Sequence, residues 1–262
     1  MKRKETAAVV SQDRIADGIF SLWLQVSFAK EAEAGQFVSL FTADGTRLLP
    51  RPVSICETDK DAGRIRLVYR IAGAGTEGFS KLKAGDRIDV MGPLGRGFPI
   101  DLALGKRVLL IGGGIGIPPM LSAAKAIRLR DPDAAVTCAV GYRTNDRYLY
   151  NDLSAVSDVV VSTDDGSYGV HGTVMDAVRF SDADPQLIFA CGPKVMLRAV
   201  KEYAKTKGVP CFISMEERMA CGVGVCLGCI CQTTGIDEHS HVKKARVCTD
   251  GPVFPAEEVD LT

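Results

Sequence analysis

Over the first hundred residues, apolar and polar side chains alternate in short runs, the period-2 pattern of half-buried strands. The run from Ile19 to Val26 is the clearest, and runs from Gln36 to Phe41, Arg64 to Tyr69 and Arg87 to Met91 follow it. Turn signals at Asp44-Gly45, Asp61-Ala-Gly63 and Ala84-Gly-Asp86 separate them. Short strands at regular spacing, with no long helical pattern between them, predict a small antiparallel barrel. Near Gly105 the character changes. An apolar run from Lys106 ends in Gly112-Gly113-Gly114, a helical stretch follows from about Pro118 to Leu129, and Ala135–Gly141, Asp158–Thr163 and Gln186–Cys191 read as further buried strands. Strands alternating with helices predict a parallel sheet with both faces covered. From about Phe212 the chain turns into a cysteine-rich tail. The expected organisation is therefore multi-domain: an antiparallel β-barrel over 1–100, an α/β parallel-sheet domain over 101–211 and a small C-terminal domain over 212–262.

Composition narrows the function classes. The chain has 262 residues, 46% apolar and 24% charged, in the range of ordinary soluble proteins. Acidic and basic residues balance at 32 each, and the basic ones form no stripe, which argues against a nucleic-acid surface. No apolar run of about 18 residues predicts a membrane span. The basic start is cut short by Gln12, Asp13 and Arg14 and does not read as a signal peptide, so a cytoplasmic protein is expected. Nine cysteines in such a chain point to metal binding rather than disulfides.

The tail concentrates that chemistry. Cys221-Gly-Val-Gly-Val-Cys226-Leu-Gly-Cys229 has the spacing C-x4-C-x2-C, and Cys248 follows after a gap. This is how plant-type 2Fe-2S clusters are held, with four thiolates around a compact rhomb of two irons and two sulfides. Gly222, Gly224 and Gly228 give the loop the freedom to wrap closely. Four thiolates also make a structural zinc site, although such sites usually pair their ligands in two short hooks. His239 and His241 offer zinc or Rieske-type iron ligation. They also read as part of a solvated turn. Of the other cysteines, Cys56, Cys138, Cys191, Cys211 and Cys231, Cys138 lies in an apolar strand pattern and reads as a small buried residue.

Several weaker motifs lie upstream. Gly112-Gly113-Gly114-Ile-Gly116-Ile-Pro118-Pro119 follows a strand and opens a helix, the context in which backbone N–H groups hold a phosphate. It departs from G-x-G-x-x-G at Ile117, and a plain tight turn is the other reading. Cys191-Gly192-Pro193 ends the last buried strand of the α/β domain, where ligands bind in open sheets, or is simply a turn. Asp164 and Asp165 can accept from ribose hydroxyls, or belong to an Asp-Gly turn. In the first domain, Arg51-Pro52-Val53-Ser54 places a flat guanidinium beside a hydroxyl, and Gly73-Ala-Gly75-Thr76 after Tyr69-Arg70 is a second candidate phosphate cradle.

In this order the motifs resemble the ferredoxin reductase family. The tail, from Ser214 to Cys229 and from Val247 to Phe254, is similar to that of electron-transfer subunits of class 1B, NAD-dependent dihydroorotate dehydrogenase. So are Leu49–Ser54, Met91–Phe98 and Thr163–Gly169. The resemblance covers essentially the whole chain. It implies FAD in the barrel, one 2Fe-2S cluster on Cys221, Cys226, Cys229 and Cys248, and NAD as co-substrate. By the same resemblance, Arg51 holds the FAD phosphates, Ser54 meets the flavin edge near N5, and Pro52, Val53, Val68, Tyr69, Arg70, Gly75 and Thr76 complete that site. Gly112, Gly113, Gly114, Gly116, Cys191, Gly192 and Pro193 are then the dinucleotide site. Many ferredoxin reductases carry an aromatic residue where this chain has Val53, so an apolar contact is expected to replace stacking there.

The implied activity is electron transfer from the FMN of a dihydroorotate dehydrogenase catalytic subunit to NAD+ in pyrimidine biosynthesis, in a heterotetramer of two of each subunit. NAD exchanges a hydride while a cluster takes single electrons, and a flavin joins the two. No side chain need act as nucleophile or general base. Lys243, Lys244 and Arg246 either raise the cluster's potential or are a solvated turn. The alternative partner is a bifurcating transhydrogenase or sulfide dehydrogenase. Some of those resembled subunits use Asp as a cluster ligand, whereas the first position here is Cys221. A zinc-stabilised binding module without redox chemistry is the reading from another class. Tyr142 and Arg143 follow the strand ending at Gly141 with no acidic residue beside them, so the residues alone leave NAD against NADP open.

Overall fold

The structure, a computed structural model, describes residues 2–42, 48–236 and 241–262. Asp44-Gly45 and His239 lie outside the described residues.

Six strands form a closed barrel: β1 (Arg3–Ala16), β2 (Ile19–Gln25), β3 (Phe37–Leu40), β4 (Arg51–Asp59), β5 (Arg64–Arg70) and β6 (Arg87–Leu94), in the order β1-β2-β5-β4-β3-β6. All neighbours are antiparallel. Closure leaves no free edge. Alternation sends Leu22, Leu24, Val38, Leu40, Ile65 and Leu67 into one barrel core. The pattern reading omitted β1. Its charged residues sit at both ends, and only Ala7 and Val9 are fully buried, so its period-2 signal is faint. The short helix α1 (Ala74–Phe79) takes up the Gly73–Thr76 segment.

The second sheet has seven strands in the order β10-β9-β8-β7-β11-β12-β15. They are β7 (Val108–Gly113), β8 (Val136–Tyr142), β9 (Asp158–Thr163), β10 (Val170–His171), β11 (Leu187–Cys191), β12 (Cys211–Ser214) and β15 (Val253–Pro255). All pair in parallel except β15, which runs antiparallel to β12. On β7, Val108 and Leu110 join a core with helix α2 (Ile117–Arg130) and the barrel's Ile19, Cys56, Val68 and Phe98. Leu109 and Ile111 face the other way, toward α4 (Val174–Phe180) and α5 (Lys194–Lys207). A short helix, α3 (Tyr150–Ser154), precedes β9.

Two contacts lock these parts together. Across the barrel boundary, Glu57 on β4 takes Lys125 of α2 at 2.5 Å, and Arg66 on β5 reaches Asp152 of α3 at 3.3 Å. In the tail, the hairpin β13 (Ile230–Gln232) and β14 (Lys244–Arg246) carries Cys229, Cys231, Val247 and Cys248 into the same core as Leu109, Ile111 and the barrel's Phe37 and Leu94. Burying Phe37 and Leu94 there contributes about 1.5–3 kcal/mol each. The expected boundary at 211/212 falls inside β12, which belongs to the parallel sheet.

Candidate functional site

One cleft of about 300 Å³ opens beside the barrel. Its walls include Pro52, Val53, Ser54, Val68, Tyr69, Arg70 and Thr76. They converge because β4 and β5 are adjacent in the barrel and α1 follows β5 directly. Tyr69 is fixed by donating to Gln12 Oε1 at 3.0 Å, and burial pushes its phenol well above the usual range, so it stays protonated. Arg51 stands at the margin, donating to the Leu49 carbonyl. A Cβ on Gly75 would come within 2.6 Å of the Arg51 Nε, so the glycine is what lets the guanidinium lie along the start of α1. The Thr76 hydroxyl accepts from the Ala72 and Gly73 N–H groups at 2.8 and 3.2 Å, which fixes the entry to that helix.

A second cleft of about 430 Å³ lies along the carboxyl ends of β7, β8 and β11. Gly113, Gly114, Gly116, Gly192 and Pro193 line it. The two glycine turns press together: a Cβ on Gly116 would meet the Cys191 carbonyl oxygen at 2.2 Å, and one on Gly192 would meet Met196 Cε at 2.5 Å. The Tyr148 hydroxyl donates to the Gly114 carbonyl at 2.5 Å and steadies the loop. Gly112 and Cys191 do not reach the cleft surface. Gly112 packs on Ile117 and Met120 of α2, and Cys191 is buried behind Gly116. Burial pushes the Cys191 thiol far up, and the Glu216 charge adds to this, so it is neutral and no nucleophile.

The two clefts share Arg70, Ile115 and Glu216. Glu216 is exposed at the mouth of both clefts, with protein packed around its base. Partial desolvation by those neighbours raises its carboxyl above the ordinary value, against the pull of Arg70. Phe37, Met219 and Pro252 also wall the first cleft and were not picked out from sequence. The tail motifs contain Met219 and Pro252, but nothing in a linear reading places them against the barrel. Of the two aspartates after β9, Asp165 accepts from the Ser167 N–H and hydroxyl at 3.0 and 2.6 Å, and those bonds hold its carboxyl below the usual value. Asp164 faces the second cleft with Arg143. Its N–H donates to the Tyr142 carbonyl at 3.1 Å, so an acidic residue does stand next to β8, brought there by β9.

The four tail cysteines come together two and two. Cys226 lies against Cys221, and the Cys248 N–H donates to Cys229 Sγ at 3.4 Å. Backbone N–H groups of Val223 and Cys226 point at Cys221 Sγ, and that of Gly228 at Cys226 Sγ, each at 3.4 Å. Burial raises the Cys221 thiol, but these donors outweigh it and bring it down to about 6. Positive φ at Gly222, Gly224 and Leu227 makes the loop turn its N–H groups inward. Such a cage of donors suits anionic sulfur. Among the described residues, no three Cys, His, Asp or Glu side chains converge on one point. A two-iron rhomb needs only two thiolates at each iron, and the pairs Cys221/Cys226 and Cys229/Cys248 match that demand. His241 is exposed. Arg246 is held by Asp250 through Nε and a terminal nitrogen at 3.1 and 3.0 Å, so its charge is largely matched.

Comparison with known proteins agrees with this geometry. Residues 6–98 match the oxidoreductase FAD-binding domain, and residues 216–260 match the iron-sulfur cluster binding domain of dihydroorotate dehydrogenase B. The chain is 42% identical over 256 residues to the "Dihydroorotate dehydrogenase B (NAD(+)), electron transfer subunit" of Listeria innocua, covering 97% of each chain. It is 41% identical to the protein of that name from Geobacillus thermodenitrificans, covering 98% of this chain and 99% of that one. Among solved structures, an NADH-dependent reduced ferredoxin-NADP oxidoreductase studied for flavin-based electron bifurcation superposes with a TM-score of 0.85 at 31% identity, covering 97% of this chain and 90% of that one. A ferredoxin NADP+ reductase from Neisseria gonorrhoeae shares the fold, with a TM-score of 0.64 at 17% identity over 78% of this chain and 92% of that one.

Proposed function

Because the chain belongs to the family of dihydroorotate dehydrogenase B electron transfer subunits, we propose that it carries electrons from the FMN of a catalytic subunit, through a 2Fe-2S cluster and FAD, to NAD+ in pyrimidine biosynthesis. The observation that carries this reading is an unbroken line of sites. The cysteine loop packs on the barrel next to Phe37, Phe37 walls the first cleft, and that cleft meets the second at Arg70, Ile115 and Glu216. When bound, FAD supplies a ring that exchanges either a hydride or single electrons, and the cluster supplies a one-electron step.

The chain's own residues hold and orient. Arg51 offers its fork to the FAD pyrophosphate, Ser54 its hydroxyl to the flavin edge, and Val53 an apolar surface. The N–H groups of Gly113–Gly116 and the start of α2 suit the NAD phosphates. Asp164 accepts from the ribose hydroxyls and disfavours a 2′-phosphate by charge, which supports NAD over NADP. No acid or base is needed at either cleft.

Val223, Val225 and Leu227 are 36%, 80% and 56% exposed around Cys226 at the loop tip. An exposed apolar group beside the outermost thiol supports docking of the FMN subunit there. We place the pair in the cytoplasm as two copies of each subunit. Among the described residues no helix is long and apolar enough to cross a membrane.

The test is anaerobic co-expression with a candidate FMN subunit. The complex should be brown-yellow, with flavin and iron–sulfur bands bleached by NADH, and dihydroorotate should reduce NAD+ only when this chain is present. Equal NAD+ reduction without this chain, or stoichiometric zinc in place of iron, would refute the proposal. Activity only with ferredoxin and a second pyridine nucleotide would favour the bifurcating alternative.

A further inference from the structure

Ser39 is fully buried, and its hydroxyl has no hydrogen-bond partner among the described residues. It sits on β3, where Val38 and Leu40 point into the barrel core while Phe37 joins the core of the tail. By strand alternation Ser39 shares the outward face of Phe37. Its cross-strand neighbours are Pro52 on β4 and Met91 on β6, which offer no polar side chain. What covers it is the cysteine loop. A Cβ on Gly222 would lie 3.1 Å from Ser39 Oγ, 3.3 Å from Leu94 Cδ1 and 3.5 Å from Met91 Cε. Gly222 immediately follows Cys221, has φ +68°, and carries no side chain to come between the hydroxyl and the loop.

We propose that the Ser39 hydroxyl donates a hydrogen bond to a sulfide of the iron–sulfur cluster held beside Cys221, and so raises the cluster's reduction potential. This deepens the reading that the tail holds such a cluster. A buried hydroxyl with no acceptor is disfavoured, and here it is walled by Leu94, Met91 and Pro52. The backbone donors already reach Cys221 Sγ from the loop side, through Val223 and Cys226. Ser39 approaches from the barrel side, across Gly222. Reduction adds one negative charge to the sulfur-rich group, and a donor stabilises that state more than the oxidised one. The barrel that shapes the flavin cleft thereby also sets how readily the cluster accepts an electron.

The experiment is a redox titration of the complete complex, with the cluster followed by electron paramagnetic resonance and the flavin by visible absorption. Ser39→Ala should retain the cluster, alter its resonance signal, and make its reduction about tenfold less favourable, about 59 mV more negative for one electron. Ser39→Thr should restore the wild-type value. Should the alanine variant lose its cluster, Ser39→Cys, a weaker donor of similar size, should shift the potential the same way by less. The flavin midpoint should not move. An unshifted cluster potential in the alanine and cysteine variants, or a shift confined to the flavin, overturns the inference and leaves the function above intact. A wild-type complex without an iron–sulfur signal would remove both.

Discussion

At the scale of single residues, the site is a set of charge and hydrogen-bond choices that can be broken one at a time. Cys226→Ser replaces a thiolate by a hydroxyl too weakly acidic to bind iron well. The variant should lose the iron–sulfur signal, while NADH still bleaches the flavin and electron delivery to the FMN subunit falls to background. Full delivery in that variant would refute the relay. Arg51→Ala removes charge-assisted bonds worth about 1.5–3 kcal/mol. It should weaken FAD binding at least tenfold, as read by fluorescence of the released flavin. Asp164→Asn should raise the KM for NAD+ and narrow its preference over NADP+, with little effect on flavin content. The loop Cys221–Cys229 and the run Arg51-Pro-Val-Ser54 stand out in the sequence because their chemistry is local. The choice between Asp164 and Asp165 is not legible there. Both follow the same strand, and only the bonds from Ser167 to Asp165 show which carboxylate belongs to the turn. Likewise the sequence leaves Arg246 as either a cation that raises the cluster's potential or part of a solvated turn, and does not show that Asp250 closes on it.

At the scale of elements, period-2 and continuous apolar runs disclosed the barrel and the parallel sheet, since each reports which faces are buried. β1 escaped because its charges sit at both ends and only Ala7 and Val9 between them are buried, which leaves little alternation to see. The glycine turns were visible as turns, but their mutual contact was not. That contact makes them unequal. Gly116→Ala drives a Cβ into backbone at 2.2 Å and should cost about 1–3 kcal/mol, lowering Tm by several degrees and weakening NADH binding. Gly228→Ala, whose Cβ would meet nothing nearer than Cys226 Sγ at 3.5 Å, should leave Tm nearly unchanged. Scanning calorimetry of the two variants separates these outcomes.

At the scale of the whole molecule, the parts are less separable than their sequence signatures. Phe37 and Leu94 of the barrel, Ile111 of the sheet and Cys248 of the tail occupy one core. The tail's β15 closes the edge of the sheet against β12. A linear reading divides the chain where its patterns change, and it has no signal for the surfaces across which those pieces fuse. Met219 and Pro252 belong to the tail yet wall the flavin cleft. A ribosome therefore finishes almost the entire polypeptide before that pocket has all its sides, and a chain cut short ahead of Met219 should emerge colourless, unable to keep its flavin.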